Sequence, residues 1–157
     1  MDVELTVNGR PVMASVAPQE LLLDFLRDRL KLTGAKRSCE VQVCGTCTVL
    51  VDGEPVSACT YLAFEAHGRD VLTIEGMAQQ PEFDGYEAAF ERHAALQCGY
   101  CTPGFLLTLK ALKDAGRLGS EEEIRHGLDG NLCRCTGYRS ILEAARDIAG
   151  LGDGERA

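Results

Sequence analysis

Eight cysteines carry the chemistry open to this sequence, and they fall into two groups of four, one in each half of the 157 residues. The first group is Cys39, Cys44, Cys47 and Cys59, spaced C-x4-C-x2-C with a distant fourth thiol. This is the plant-type spacing of a [2Fe–2S] site. A rhombic two-iron core needs two thiolates on each iron. A short irregular loop supplies three, and Cys59, just past the following hairpin, returns to close the cage. Gly45, between two of the thiols, lets backbone come close to the core and offer N–H groups. The second group sets Cys98-x2-Cys101 against Cys133-x-Cys135. Both pairs stand just before helix starts, at Thr102-Pro103 and at Thr136-Gly137-Tyr138, where free N–H groups and the positive dipole end favour a negatively charged cluster.

Two other uses of these thiols stay open on spacing. Four disulfides suit a small secreted protein. Two four-thiolate zinc sites are chemically possible, although zinc motifs usually join two C-x2–4-C units and the first group does not. A Rieske centre needs two histidines in the ligand loops. His67, His93 and His126 lie away from those loops and read as exposed or capping residues. No Ser/His/Asp set, phosphate-binding glycine loop or dinucleotide fingerprint is present, so no residue reads as catalytic.

The elements that must position the thiols change character midway. Val3–Val7 alternates at period two, Asn8-Gly9 is a hairpin turn, and Val12–Val16 returns. Residues 20–30 place Leu22, Leu23, Leu26 and Leu30 on one helical stripe. Thr48–Val51, the Asp52-Gly53 turn and Val56–Ala58 form a second hairpin, and Val71–Ile74 a last strand. The pattern predicts a small mixed sheet wrapped on one helix. Residues 76–85 read as a linker with Pro81. Four short helices are then predicted: 86–96, one opening at Thr102-Pro103 and closed by Gly116, one behind a Ser120–Glu123 capping box, and 138–151 with Ile141, Ala145 and Ile148 aligned. The tail from Gly152 reads as frayed.

Composition narrows the class. The formal charge of −8 argues against nucleic acid as the main partner. With 45 % hydrophobic and 25 % charged residues, intrinsic disorder is not expected. No apolar run approaches the roughly 18–20 residues of a membrane span, and Met1-Asp2-Val3-Glu4 carries acids where a signal peptide is basic. The expectation is a soluble cytoplasmic protein, whose clustered thiols bind metal rather than form disulfides.

Three ordered stretches resemble one family. Cys39-x4-Cys44-Gly45-Thr46-Cys47-Thr48-Val49 with Val51-Asp52-Gly53, then Gln97-Cys98-Gly99-Tyr100-Cys101-Thr102-Pro103-Gly104, then Gly130-Asn131-Leu132-Cys133-Arg134-Cys135-Thr136-Gly137-Tyr138 are similar to the iron–sulfur subunit of the molybdenum hydroxylases. These are the xanthine dehydrogenase, aldehyde oxidoreductase and carbon monoxide dehydrogenase family. The resemblance runs from Val3 to about Leu151. It implies an α+β chain, with a β-grasp [2Fe–2S] ferredoxin domain over residues 1–76 and a helical [2Fe–2S] domain, a four-helix bundle, over 77–157. All eight cysteines would be ligands. The chain would pass electrons from molybdopterin on a large subunit, through the Cys98/Cys101/Cys133/Cys135 cluster and then the Cys39/Cys44/Cys47/Cys59 cluster, to FAD on a medium subunit, within a dimer of heterotrimers. Gln97 would hydrogen-bond the pterin, and Cys135 would bring its sulfur to a pterin amino group. A free two-cluster ferredoxin and a zinc-stabilised interaction module are the rival classes. Three positions depart from the family pattern: Ser38 and Gln42, where glycine is commoner, and Thr46, a mild change where alanine is common. If those glycines use positive φ, Gln42 is expected to be strained by roughly 1–3 kcal/mol. Lys36 and Arg37 read as a solvated charge pair.

Overall fold

The computed structural model describes residues 1–151, so the tail from Gly152 lies outside the described residues. The first half builds a five-stranded sheet from β1 (Asp2–Val7), β2 (Arg10–Ser15), β3 (Thr48–Val51), β4 (Glu54–Ser57) and β5 (Asp70–Leu72), in the order β2-β1-β5-β3-β4. Only the β1–β5 pair is parallel, in register Thr6 with Asp70 and Val7 with Val71. β2 begins two residues earlier than the alternation suggested, because Pro11 and Arg10 complete the pairing with Thr6 and Val7.

The helix expected over residues 20–30 is shorter and wider. α1 (Leu22–Asp24) runs into a π-helical turn, Phe25–Arg29, in which Leu30 N–H donates to Phe25 O at 3.2 Å. The wider turn buries Phe25 together with Leu22, Leu23 and Leu26, while Leu30 is only partly buried. These side chains pack with Val3, Leu5 and Val7 of β1 and with Val49, Val51 and Val71.

The stretch read as a linker is folded. β5 ends at Leu72, and α2 (Ile74–Met77) and α3 (Phe83–Arg92) occupy most of 74–92. Met77 is fully buried and joins the second core. Asn8 Oδ1 accepts from Thr73 N–H at 2.8 Å, and Asn8 Nδ2 donates to Thr73 Oγ1 at 2.9 Å, tying this stretch to the first hairpin. Pro81 and the glycines signal a local break, and only tertiary burial reveals the docking. α3 also stops short of residue 96, since Ala94 turns left-handed with φ 50°.

α4 (Thr102–Asp114), α5 (Glu121–Leu128) and α6 (Arg139–Ala149) complete the chain. α4 opens with proline in its first turn, as expected. At α5 Ser120 Oγ accepts from Glu123 N–H, but the Glu123 carboxylate turns to Gly119 N–H, so the capping box is half made. α6 begins one residue later than predicted, because Tyr138 sits left-handed at φ 72°. Ile141, Ala145 and Ile148 face inward with Phe105, Leu109 and Ile124. Leu50 of β3 belongs to this second core, whereas Val49 and Val51 belong to the first. All four β3 residues are therefore buried, and the two halves share one seam. Among the described residues no helix is long and apolar enough to cross a membrane.

Candidate metal centres

The Cys39–Cys47 loop lies between the π-helical turn and β3, and Cys59 follows β4. Cys44, Cys47 and Cys59 are buried; Cys39 is partly exposed. Val43 N–H and Cys44 N–H each donate to Cys39 Sγ at 3.4 Å. Val41 N–H most of all, then these two donors, pull the Cys39 thiol down to about 6, into the range of a thiolate at neutral pH. Cys47 lies at the other extreme. Burial, and the neighbouring Cys59 and Cys44 sulfurs, push it up to about 12. Thr46 spans the loop: its hydroxyl donates to Lys36 O at 3.2 Å and lies 3.2 Å from Cys44 Sγ.

The loop backbone carries strain. Glu40 has φ 56° and Gln42 φ 58°, left-handed values that cost a non-glycine residue roughly 1–3 kcal/mol. Gln42 thus behaves as the family comparison led us to expect, while Ser38 shows no positive φ. Arg37 is not the solvated charge predicted: its guanidinium pairs with both Asp24 and Glu40.

In the second group Cys98 and Cys135 are exposed, Cys101 is partly buried and Cys133 is buried. Cys135 Sγ and Cys98 Sγ approach to 3.5 Å, across the two loops. Contact with Cys98 raises Cys135. Burial pushes Cys101 up to about 12, with the Cys133 and Cys98 sulfurs adding to it. Burial also opposes ionisation of Cys133, but hydrogen bonds from Thr136, Cys135 N–H and Cys101 together outweigh it, so Cys133 ends below its ordinary value. Thr136 Oγ1 donates to Cys133 Sγ at 3.1 Å and Thr136 N–H at 3.4 Å. Cys133 N–H in turn donates to Tyr138 Oη at 2.9 Å, and the Tyr138 ring meets Phe105 edge-on at 6.4 Å. Gln97 is exposed beside Cys98.

The two loops touch. Leu132 N–H donates to Cys44 O at 2.9 Å, and the buried amide of Asn131 donates to Gly45 O at 3.3 Å. Tyr100 Oη donates to Arg37 O at 2.5 Å. A side chain at Gly45 would put its Cβ 2.4 Å from Gly130 O, and one at Gly104 would put its Cβ 2.1 Å from Gly45 O. Gly45 therefore admits the opposing loop, a constraint separate from the core approach inferred from its spacing. Thr136, Tyr138, Asn131 and Leu132 were visible only as motif letters; a threonine and an amide flanking a C-x-C pair were the available signal.

Thiols alone make up both donor sets, with backbone and hydroxyl donors aimed at individual sulfurs. This suits a site that must hold a negatively charged iron–sulfur core. Among the described residues no three His, Cys, Asp or Glu side chains are placed to hold one metal ion.

Comparison with known proteins gives the same picture. Residues 5–73 match the family described as "2Fe-2S iron-sulfur cluster binding domain", and residues 73–146 that described as "[2Fe-2S] binding domain". The nicotine 6-hydroxylase small subunit of Paenarthrobacter nicotinovorans is 44 % identical over 96 % of this chain and 90 % of its own length. The xanthine dehydrogenase iron-sulfur-binding subunit of Escherichia coli O157:H7 is 40 % identical over 92 % of each. The crystal structure of quinoline 2-oxidoreductase from Pseudomonas putida 86 superimposes with a TM-score of 0.88 at 41 % identity, over 96 % of this chain and 94 % of that one.

Proposed function

The chain belongs to the small iron–sulfur subunits of the xanthine dehydrogenase and aldehyde oxidoreductase family of molybdenum hydroxylases, and from that premise we propose which residues carry each part of its electron transfer. When bound, its two [2Fe–2S] clusters supply one-electron transfer between molybdopterin on a large subunit and FAD on a medium subunit. Substrate is oxidised on the large subunit, so this chain holds no catalytic residue.

Cys39, Cys44, Cys47 and Cys59 hold the first cluster, and Cys98, Cys101, Cys133 and Cys135 the second. The observation that carries this assignment is pairwise contact within each sequence tetrad: Cys98 and Cys135 sulfurs stand 3.5 Å apart, Cys101 meets Cys133, and Cys47 meets Cys59. The sheet order with α1 packed against it supports a β-grasp reading of the first half. α3 to α6 support a four-helix reading of the second, with α2 as one additional turn. The family matches meet at residue 73, close to our division into 1–76 and 77–157.

The family resemblance implies the direction of flow, and the exposed residues at each end are consistent with it. Leu96, Tyr100 and Leu132 are exposed apolar residues around the exposed Cys98 and Cys135, and such a collar suits a protein interface. That face takes the large subunit, with Cys135 as electron entry and Gln97 free to hydrogen-bond the pterin. Val41 and Val43, 65 % and 56 % exposed, flank Cys39 and suit the medium, flavin-bearing subunit. A dimer of such heterotrimers in the cytoplasm, where thiols stay reduced, is the assembly this reading implies.

Low-temperature EPR of the dithionite-reduced protein, with iron, sulfide and zinc counted on the same sample, tests the assignment. Two distinct [2Fe–2S] signals and about four irons per chain are expected; a silent, zinc-containing sample overturns it. Gln97→Ala is expected to leave both signals intact and to lower turnover of the assembled complex. Unchanged turnover would remove Gln97 from the pterin contact.

A further inference from the structure

We propose that Gln42 is a positioning residue for the Cys39 sulfur, holding the strained backbone that aims two N–H groups at it. The inference rests on the reading of Cys39 as a ligand. Between Cys39 and Cys44 the chain turns left-handed at Glu40 and again at Gln42. The turn at Gln42 directs the next peptide back towards the start of the loop. Val43 N–H and Cys44 N–H consequently converge on Cys39 Sγ, both at 3.4 Å. Successive N–H groups gathered by a left-handed turn form a concavity that favours an anion.

A glutamine does not rest there without support. Gln42 Oε1 lies 3.3 Å from Thr60 Oγ1, which shares its one proton between Gln42 and Ser57 O, also at 3.3 Å, and Thr60 directly follows Cys59. The side chain thus straps the loop bearing Cys39, Cys44 and Cys47 to the turn bearing Cys59. Glu40 is anchored independently through Arg37, which also holds Asp24 of α1. Glycine would accept the same φ without strain, but it has no side chain to reach Thr60. Gln42 therefore combines backbone aim with a tether between the two ligand-bearing segments.

Hydrogen bonds to ligand sulfurs favour the more negative, reduced state of an iron–sulfur centre and so raise its potential. Losing the tether lets the strained turn relax and swings both donors away from Cys39. The test compares Gln42→Ala, Gln42→Gly and Cys39→Ser in the full chain, by EPR-monitored potentiometric titration and by iron release to a chelator. Gln42→Ala is expected to lower the first centre's midpoint potential and to speed its iron loss several-fold, with the second centre unmoved. Gln42→Gly, free to keep the left-handed turn, is expected to restore the potential towards that of the unaltered chain. A Gln42→Ala potential equal to that of the unaltered chain overturns the proposal. So does a Gln42→Gly shift as large as that of Gln42→Ala, which would deny any role to the turn. Cys39→Ser separates the premise: if it leaves the first signal and its iron intact, the ligand reading itself fails.

Discussion

Cys135→Ser is expected to remove the second cluster's EPR signal while the first cluster assembles unchanged, with iron falling from about four to about two per chain. The reason lies in how little else Cys135 does. Its side chain is exposed and takes no part in either hydrophobic core, whereas Cys133 is buried in the second one. The substitution therefore opens no cavity, and Thr136, Tyr138 and Phe105 keep Cys133 and the start of α6 in place. What is lost is one sulfur facing Cys98 at 3.5 Å. A serine hydroxyl is a poorer donor for iron than a thiolate. Outer groups around metal ligands commonly change affinity or activity by 10–100-fold, so losing a ligand should lower turnover of the complex by more than ~100-fold. Cys44→Ser should do the reverse, erasing the first signal and sparing the second. If Cys135→Ser abolishes the first signal alone, the division of the thiols between the centres is wrong.

What the sequence made legible was local. The C-x4-C-x2-C run, the two turn dipeptides and the Thr102-Pro103 helix start each depend on a few adjacent residues, and the structure keeps them. Where tertiary packing decides, local signals misled. Residues 76–85 carry Pro81 and glycines, yet Met77 is drawn into the second core and the stretch becomes helical at both ends. Phe25 breaks the expected stripe because a π turn presents it beside Leu22 and Leu26. Lys110 of α4 is a charged side chain taken out of water by tertiary packing. It is only 8 % exposed, and carboxylates of Glu82 and Asp114, each 3.0 Å away, make that burial tolerable. At the metal centres the thiols were legible and their supporting donors were not. Nothing in the letter at Tyr138 announces a left-handed residue whose hydroxyl accepts from Cys133 N–H. Asn131 and Gly104 likewise acquire meaning only when a segment distant in the chain arrives at Gly45.

That arrival makes Gly104→Ala the other substitution with a large expected effect. Its new Cβ would stand 2.1 Å from Gly45 O, a backbone atom with no flexible end to move aside. Gly45 O is also held from its own side, accepting Thr48 Oγ1 at 2.8 Å as well as the Asn131 amide. Overpacking of this kind usually costs about 1–3 kcal/mol and more where backbone must shift. At this chain length that corresponds to a melting temperature lower by roughly 2–12 °C. Gly85→Ala is the matched control, since nothing lies within 4 Å of its added Cβ in α3. It is expected to stabilise by roughly 0.5–1 kcal/mol. The larger consequence is functional. Leu132 N–H, one residue from Cys133, donates to the carbonyl of Cys44, so one hydrogen bond and one peptide link a proposed ligand of each centre. Forcing Gly45 away from Gly104 pulls on that bond. Both EPR signals should survive in Gly104→Ala, with weaker magnetic coupling between the reduced centres and slower electron passage from the second to the first. Coupling and transfer rate unchanged alongside a lowered melting temperature would mean that the seam holds the halves together without carrying the electrons.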